Sequence, residues 1–270
     1  MRSFIAAVVQ MNSTDSVEGN LREAGKLVRR AVERGAQLVL LPENFAFMRG
    51  GEEGKLEVAE PEGEGPIQAF LAETAAALGI YLVGGSVPLK GSSPERVRAA
   101  CLLYGPDGER IGRYDKIHLF DVDLPTGERY RESATVEPGE EPLLVETPLA
   151  KLGVAICYDI RFPELARRLS RKGMEVLLVP AAFTVPTGRA HWEVLLRARA
   201  IENQCYCVAA AEWGDHPGGR ETYGHSMLVD PWGEVLARLE EGVGVVFHQL
   251  SANRLAEIRR RFPALQHRRL

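Results

Sequence analysis

KLGVAICYDIRFPEL, residues 151–165, joins an apolar run to an amphipathic stretch through a short turn that carries a cysteine. The run KLGVAIC (151–157) predicts a buried strand that ends at Cys157. The stretch PELARRLSRKG (163–173) begins with proline and ends with glycine, as helices commonly do. A buried strand followed directly by a helix is the repeating unit of α/β proteins. These residues therefore predict an α/β fold.

The same alternation extends in both directions along the chain. Apolar runs predict further strands at 4–10, 36–42, 80–88, 97–106, 175–180, 205–211, 225–230, 234–239 and 243–250. Amphipathic stretches predict helices at 20–35, 65–79 and 191–204 and from about Ser251, with an irregular stretch from about 121 to 142. Strands that are apolar on both faces indicate a covered sheet. We predict one domain over 1–270, with a core at about 4–250 and a C-terminal helix and basic tail at 251–270.

Composition excludes several classes of protein. The 270 residues carry a net charge of −4, which argues against a nucleic-acid partner. The basic residues near the C-terminus are interpreted as a solvated helix face and tail. The N-terminal run FIAAVV is too short for a signal peptide, and no run is long enough for a membrane helix. We therefore expect a cytoplasmic protein that does not contact a membrane, with its four cysteines reduced.

Three apolar runs each end at, or directly before, a polar residue or a proline. Glu43 follows LVLLP, Cys157 ends LGVAIC, and Pro180 closes EVLLVP. In open α/β sheets, ligands bind just beyond the carboxyl ends of the strands. We therefore expect Glu43 and Cys157 to face one crevice.

Cys157 differs from the other cysteines in its C-terminal neighbours. A lone cysteine at a strand end is usually a small buried apolar residue. Here a helix start comes soon after the cysteine, which is expected to favour the thiolate, and the Tyr158 N–H is placed to meet an oxyanion. The remaining cysteines (101, 205 and 207) are expected to be core residues, and the Cys-x-Cys pair lacks zinc-site spacing, so no metal is expected.

Lys116 lies in RYDKIHLF, among apolar neighbours that suggest partial burial. A buried lysine needs a carboxylate partner or loses its charge. Taken alone, Lys116 could equally be a solvated lysine paired with Asp115, and Glu43 a surface carboxylate.

Three separated segments resemble the signature segments of the nitrilase superfamily of carbon–nitrogen hydrolases: LPENF (41–45), YDKIHLFDVDLP (114–125) and GVAICYDIRFPEL (153–165). The resemblance covers essentially the whole chain. It implies a four-layer α-β-β-α sandwich and a catalytic triad of Glu43, Lys116 and Cys157. It also implicates Glu132, in YRES, as a second active-site carboxylate. It further implies a small-molecule amide substrate, no cofactor, and a homodimer or higher homo-oligomer formed through helices.

Two later segments, 191–211 and 223–238, resemble the branch that contains deaminated glutathione amidase, and the omega-amidases share much of this pattern. The substrates of both contain a 2-oxoglutaryl acid, so the pocket must bind carboxylates and a keto oxygen. Candidate contacts are Asn44, Phe45, Arg161, Phe183, Thr184, Thr187, His191 and Trp192. His191 and Trp192 could instead pack in a helix, and Arg161 could pair with Glu164.

Two other classes of function fit the sequence less well. A non-catalytic binding protein on the same fold would be expected to lack at least one member of the Glu-Lys-Cys set, and none is missing. A serine hydrolase that uses Ser226 and His225 would need a Gly-x-Ser-x-Gly turn, whereas the chain reads YGHSML.

Overall fold

The computed structural model describes residues 1–49, 54–125 and 127–269. The strands are β1 (Phe4–Gln10), β2 (Leu38–Leu40), β3 (Tyr81–Val83), β4 (Val87–Lys90), β5 (Val97–Tyr104), β6 (Arg110–Asp115), β7 (Asp121–Asp123), β8 (Arg129–Arg131), β9 (Leu144–Glu146), β10 (Lys151–Val154), β11 (Val176–Ala181), β12 (Tyr206–Ala211), β13 (Trp213–His216), β14 (Arg220–Tyr223), β15 (Ser226–Val229), β16 (Val235–Leu239) and β17 (Gly244–Leu250). The helices are α1 (Val17–Glu33), α2 (Gly54–Glu57), α3 (Pro66–Leu78), α4 (Pro163–Arg171), α5 (Val185–Asn203) and α6 (Ala252–Arg261), with 3₁₀ turns at Glu132–Ala134, Cys157–Arg161 and Ala264–Gln266.

The larger strands form two sheets, each with three parallel strands at its centre. The first sheet has the order β17-β1-β2-β3-β5-β4, with β6 paired to β5, and β1, β2 and β3 are parallel neighbours. The second has the order β16-β15-β12-β11-β10-β9, and β10, β11 and β12 are parallel neighbours. Two short antiparallel pairs, β7–β8 and β13–β14, lie outside these sheets.

Alternation along β1 shows how the layers stack. Ala7 and Val9 pack with the apolar faces of α1 and α3, whereas Ala6 and Val8 join the cluster that contains the second sheet. Successive strand residues point to opposite faces, so the first sheet lies between these helices and the second sheet. Buried residues of α4 and α5 belong to the same cluster as the second sheet. The predicted α-β-β-α sandwich is confirmed.

Several element boundaries differ from those predicted. The segment predicted as one strand at 80–88 forms β3 and β4, because Gly85 takes a left-handed φ of 50° that ends the first strand. Helix α5 begins at Val185, ahead of the predicted 191, and β7 and β8 lie in the stretch predicted to be irregular. Strand β10 stops at Val154, so Cys157 lies in the 3₁₀ turn that comes after it.

The basic C-terminal helix is less solvated than predicted. Arg259 donates to the carbonyl oxygens of Gln204 (3.0 Å) and Met174 (2.7 Å), which ties α6 to the second sheet. Arg261 pairs with Glu257 at 3.2 Å on the exposed side, as predicted for a solvated face. In the described part of the chain, every helix is too short or too polar to cross a membrane.

Gly85 is predicted to be far more sensitive to substitution than Gly79, which also has a left-handed φ. A Cβ at Gly85 would overlap the backbone of Pro42, whereas a Cβ at Gly79 (φ 64°) would meet no atom within 4 Å. Both alanine variants carry the left-handed penalty of about 1–2 kcal/mol, and only Gly85→Ala adds the overlap. In urea unfolding we expect Gly85→Ala to lower the free energy of unfolding by about 3 kcal/mol and Gly79→Ala by about 1 kcal/mol. Equal losses would contradict this role of Gly85.

Candidate active site

Glu43, Lys116 and Cys157 come from three different segments and meet between the two sheets. Glu43 follows β2 in the first sheet, Lys116 follows β6 in the same sheet, and Cys157 follows β10 in the second. All three side chains line one pocket of about 390 Å³. Cys157 and Glu43 face each other in this pocket and affect each other's charge, so the expected crevice between these two residues is present.

Lys116 is held by two carboxylates. Its Nζ lies 2.8 Å from Oε1 of Glu43 and 2.9 and 2.8 Å from the two oxygens of Glu132. All three residues are buried, with Lys116 only 2% exposed. This confirms the predicted burial of Lys116 and excludes the alternative of a solvated pair with Asp115, which instead bonds Arg113 at 2.9 Å.

Glu132 also fixes the chain that follows Lys116. Its Oε2 accepts the Phe120 N–H at 2.7 Å, while its side chain emerges from the 3₁₀ turn Glu132–Ala134. Phe120 lines the pocket beside Lys116. Glu132 therefore sets both the position of the ammonium group and one wall of the pocket.

Cys157 sits on a sharply bent backbone, with a φ of 47° that is unusual outside glycine. Asp159 holds this turn: it accepts the Ile156 N–H at 2.9 Å, the Tyr114 hydroxyl at 2.7 Å and the His118 N–H at 2.9 Å. Because Tyr114 and His118 flank Lys116 in the chain, this buried carboxylate links the cysteine turn to the lysine segment. This role of Asp159 was not predicted, because it depends on contacts across 41 to 45 positions.

The electrostatics of the site assign its resting protonation. Burial opposes ionisation of Glu43, but the ammonium of Lys116 outweighs burial and holds the pKa of Glu43 below its usual value. Burial also opposes a charge on Lys116, and Glu132 and Glu43 together raise its pKa well above the usual value. Burial, reinforced by the charge of Glu43, raises the pKa of the Cys157 thiol. At rest, Glu43 is therefore ionised, Lys116 is an ammonium and Cys157 is a neutral thiol.

The helix start after Cys157 was expected to favour the thiolate, and burial together with the charge of Glu43 opposes that effect. The turn that begins at Cys157 is a short 3₁₀ segment, and α4 begins only at Pro163, so an α-helical dipole does not act directly on the sulfur. Burial and Glu43 therefore dominate, and the thiol keeps its proton next to an ionised carboxylate. A carboxylate base in the same pocket can take that proton when a substrate is present.

The pocket brings together most, but not all, of the predicted contacts. The predicted residues that line it are Glu43, Asn44, Lys116, Glu132, Cys157, Tyr158, Arg161, Phe183, Thr184 and Thr187. Phe45 is fully buried in the core beneath the helices. Trp192 is also buried, where it donates to the His225 carbonyl at 2.9 Å and packs on Phe183. His191 lies outside the lining, with its ring nitrogen 3.1 Å from Arg161.

Arg161 is held by aromatic rings and not by Glu164. Its guanidinium lies 5.0 Å from the Phe183 ring and 5.7 Å from the Tyr158 ring. Among the described residues its Nε has no hydrogen-bond partner although the atom is buried. Arg161 therefore presents a positive charge to the pocket.

Four further residues of the lining were not predicted: Lys55, Phe120, Ala182 and Arg220. The backbone N–H of Ala182 bonds to the Cys157 sulfur and opposes the rise in its pKa. Ala182 directly follows β11, so the strand end noted at Pro180 was the available signal. Within the described ranges, no group of three His, Cys, Asp or Glu side chains could hold a metal ion.

Comparisons with known proteins agree with this geometry. The carbon–nitrogen hydrolase family matches residues 5–260. A deaminated glutathione amidase of Synechocystis sp. is 45% identical over 99% of both chains. An omega-amidase, NIT2 of Xenopus tropicalis, is 40% identical over 100% of this chain and 96% of its own length. The structure of Saccharomyces cerevisiae Nit3, a member of branch 10 of the nitrilase superfamily, superposes with a TM-score of 0.90 at 31% identity, covering 100% of this chain and 97% of Nit3. The resemblance seen in the sequence is confirmed.

Proposed function

We propose that this chain, which belongs to the carbon–nitrogen hydrolase family and acts on amides, is a cysteine-dependent amidase that hydrolyses deaminated glutathione to 2-oxoglutarate and cysteinylglycine. The observation that carries the chemistry is that Glu43, Lys116 and Cys157 are buried together in the lining of one pocket, with Glu43 bonded to Lys116. The choice of substrate is supported by the names of the more similar relatives.

In the first half of the reaction, Glu43 takes the proton of the Cys157 thiol as the sulfur attacks the amide carbon. A carbon–sulfur bond forms and the carbonyl oxygen becomes an oxyanion. Lys116 and the Tyr158 N–H stabilise this oxyanion, and each such donor typically lowers the barrier by about 3–4 kcal/mol. When the oxyanion collapses, the carbon–nitrogen bond breaks and Glu43 passes its proton to the leaving amine. A thioester on Cys157 remains.

The second half of the reaction returns the site to its starting state. Glu43, ionised again, takes a proton from a water molecule that attacks the thioester carbon. The same donors stabilise the second oxyanion, and its collapse breaks the carbon–sulfur bond. The proton on Glu43 then returns to the sulfur. Throughout, Glu132 keeps Lys116 charged and oriented, because it bonds the ammonium through both oxygens.

The charges around the pocket support an acidic substrate. Lys55, Arg161 and Arg220 line it in addition to Lys116, and Arg161 presents a buried Nε that has no protein partner among the described residues. Deaminated glutathione carries a carboxylate at each end of the molecule. We assign Arg161 to one of these carboxylates, with Thr184 and Thr187 as neighbouring hydroxyl donors.

The second candidate function is that of an omega-amidase, which releases ammonia from 2-oxoglutaramate. A relative with that name is 40% identical to this chain, close to the 45% of the Synechocystis amidase. Both substrates place a 2-oxoglutaryl group on the same side of the scissile bond. They differ only in the leaving group, which is cysteinylglycine in one case and ammonia in the other.

A two-substrate panel separates these functions. Hydrolysis of deaminated glutathione is measured by release of cysteinylglycine, and hydrolysis of 2-oxoglutaramate by release of ammonia. We expect kcat/KM to be at least about tenfold higher for deaminated glutathione, because its longer leaving group adds contacts worth about 1.4 kcal/mol or more. Arg161→Met is expected to raise KM about tenfold or more with little change in kcat, through loss of a charged hydrogen bond. The exposed Arg189→Met on α5 is the matched control. A preference for 2-oxoglutaramate would establish the omega-amidase, and turnover of neither compound would reject both.

We also propose that the protein acts in the cytoplasm as a homodimer. All four cysteines are free and buried, which suits a reducing compartment. Val194 and Ile201 on α5 are 67% and 49% exposed, and Trp232 and Phe262 pack edge to face near them, 56% and 55% exposed. Such an apolar surface favours self-association, which sedimentation velocity of the protein with and without Val194→Glu would test.

A further inference from the structure

Glu212 is a fully buried carboxylate that the proposed catalytic steps do not use. It directly follows β12, and none of its surface is exposed. Its Oε2 accepts the backbone N–H of Ser13 at 2.9 Å, and its Oε1 lies 2.7 Å from the Ser13 hydroxyl oxygen. These two hydrogen bonds connect the segment that follows β1 in the first sheet to the end of β12 in the second sheet.

The Ser13 hydroxyl has two acceptors but only one proton. Its oxygen lies 2.9 Å from the Phe45 carbonyl oxygen as well as 2.7 Å from Glu212. A carbonyl oxygen can only accept, and so can an ionised carboxylate. Both contacts are hydrogen bonds at the same time only if Glu212 carries a proton, donates it to Ser13, and Ser13 donates to Phe45. Two full hydrogen bonds at these distances therefore require a protonated Glu212.

The bond to Phe45 supports the turn that carries Glu43. Phe45 is two residues beyond Glu43, and its own N–H closes the turn on the Pro42 carbonyl at 3.3 Å. The backbone of this turn is already constrained, because Asn44 has a φ of 62°. When the Ser13 hydroxyl turns towards an ionised Glu212, the Phe45 carbonyl loses this donor. The turn that carries Glu43 then loses one of the hydrogen bonds that hold it in place.

The charges that face Glu212 come from three elements. Glu43, on the turn after β2, disfavours a second negative charge, and Arg220, on β14, favours it. His216, on β13, donates through Nδ1 to the Ser13 carbonyl at 2.8 Å and contacts Thr222 through Nε2 at 2.7 Å. Burial lowers the pKa of His216, so this ring stays neutral as the pH rises. Burial raises the pKa of Glu212 to about 7, with Glu43 adding to the rise and the Ser13 bonds opposing it.

We propose that Glu212 is a positioning residue that works in its protonated form: it directs the Ser13 hydroxyl onto the Phe45 carbonyl, holds the turn that carries Glu43, and makes the amidase lose activity when it ionises. The inference rests on the proposed role of Glu43 as the base. An ionised Glu212 also adds a buried negative charge near a site where an oxyanion forms and an acidic substrate binds, which disfavours both.

The catalytic test compares the pH profiles of the wild type and Glu212→Gln with an amide that the wild type hydrolyses. The glutamine amide can donate to the Ser13 hydroxyl and accept from the Ser13 N–H, so it reproduces the protonated arrangement. We expect wild-type kcat/KM to fall about tenfold from pH 6 to pH 8.5, mainly in kcat, and Glu212→Gln to lack this fall. Glu221→Gln, an exposed glutamate on β14, should keep the wild-type profile. A profile of Glu212→Gln identical to the wild type would overturn the proposal.

A thermal test does not depend on catalysis and so separates this proposal from the proposed function. Because the pKa of Glu212 is raised from 4.5 to about 7, the stability that its proton contributes is complete below pH 4.5 and is lost as the pH rises to about 7. The Tm of Glu212→Gln minus that of the wild type should therefore increase between pH 5 and pH 8. A difference that does not change with pH would reject protonation of Glu212.

A third measurement remains decisive if the variant does not fold. Infrared difference spectra of the wild type should show a protonated carboxyl stretch at pH 6 that disappears by pH 8.5. Absence of that band at pH 6 would overturn the proposal even if no variant were obtained.

Discussion

Replacing Cys157 with alanine is expected to lower kcat by about 10⁴-fold or more while leaving the Tm within a few degrees of the wild type. The proposed mechanism passes through a thioester on this sulfur, and among the described residues that line the pocket no other cysteine is present. The side chain is small and 7% exposed, so its removal leaves only a small cavity. Single-turnover and steady-state assays on purified protein measure the effect.

Cys101→Ala is the matched control for this prediction. Cys101 is also buried and free, in the middle of β5, but does not line the pocket. Its loss should cost about 1 kcal/mol of stability and leave kcat unchanged. Turnover above about 1% of the wild type in Cys157→Ala would contradict a covalent mechanism.

Replacing Lys116 with methionine is expected to destabilise the protein and abolish its activity together. The substitution leaves Glu43 and Glu132 buried without the ammonium that both contact. Breaking a buried ion pair in this way typically costs about 3–5 kcal/mol, and loss of one oxyanion donor lowers kcat by about 10²–10³-fold. Urea unfolding and kcat on the same preparation measure the two effects.

Two comparisons make this prediction specific. Lys151→Met breaks an ion pair of similar length, 2.6 Å to Glu146, at the protein surface, and should not change stability measurably. The double variant Lys116→Met/Glu132→Gln removes one of the two stranded charges, so it should recover part of the stability and none of the activity. If Lys116→Met unfolded at the same urea concentration as the wild type, the carboxylates would not depend on this lysine for their charge compensation.

The sequence predicted those parts of the site that lie at strand ends. Glu43 and Cys157 end apolar runs, and strand ends in an α/β protein converge, so their meeting could be expected from local pattern alone. Lys116 could be recognised as buried from its apolar neighbours, but its partners could not be identified without the family resemblance. Glu132 was identified only through that resemblance, because it lies in a stretch with no clear periodicity.

The parts of the site that could not be predicted depend on chain segments far apart. Asp159 and Glu212 look like ordinary acidic residues in the sequence, and their roles arise from partners 41 to 45 and 199 positions away. The strength of the effects on the Cys157 pKa could not be predicted either, since the helix start was visible locally while the burial that raises this pKa depends on the whole fold. Gly85 ended a strand that hydrophobicity alone would have continued.

The neutral thiol of Cys157 has a consequence for the life of the protein between encounters with its substrate. Oxidants and electrophiles react with thiolates and only slowly with thiols. A nucleophile that is buried and protonated at rest, and that loses its proton only as a bond to carbon forms, is therefore expected to react more slowly with peroxide than an exposed thiolate does.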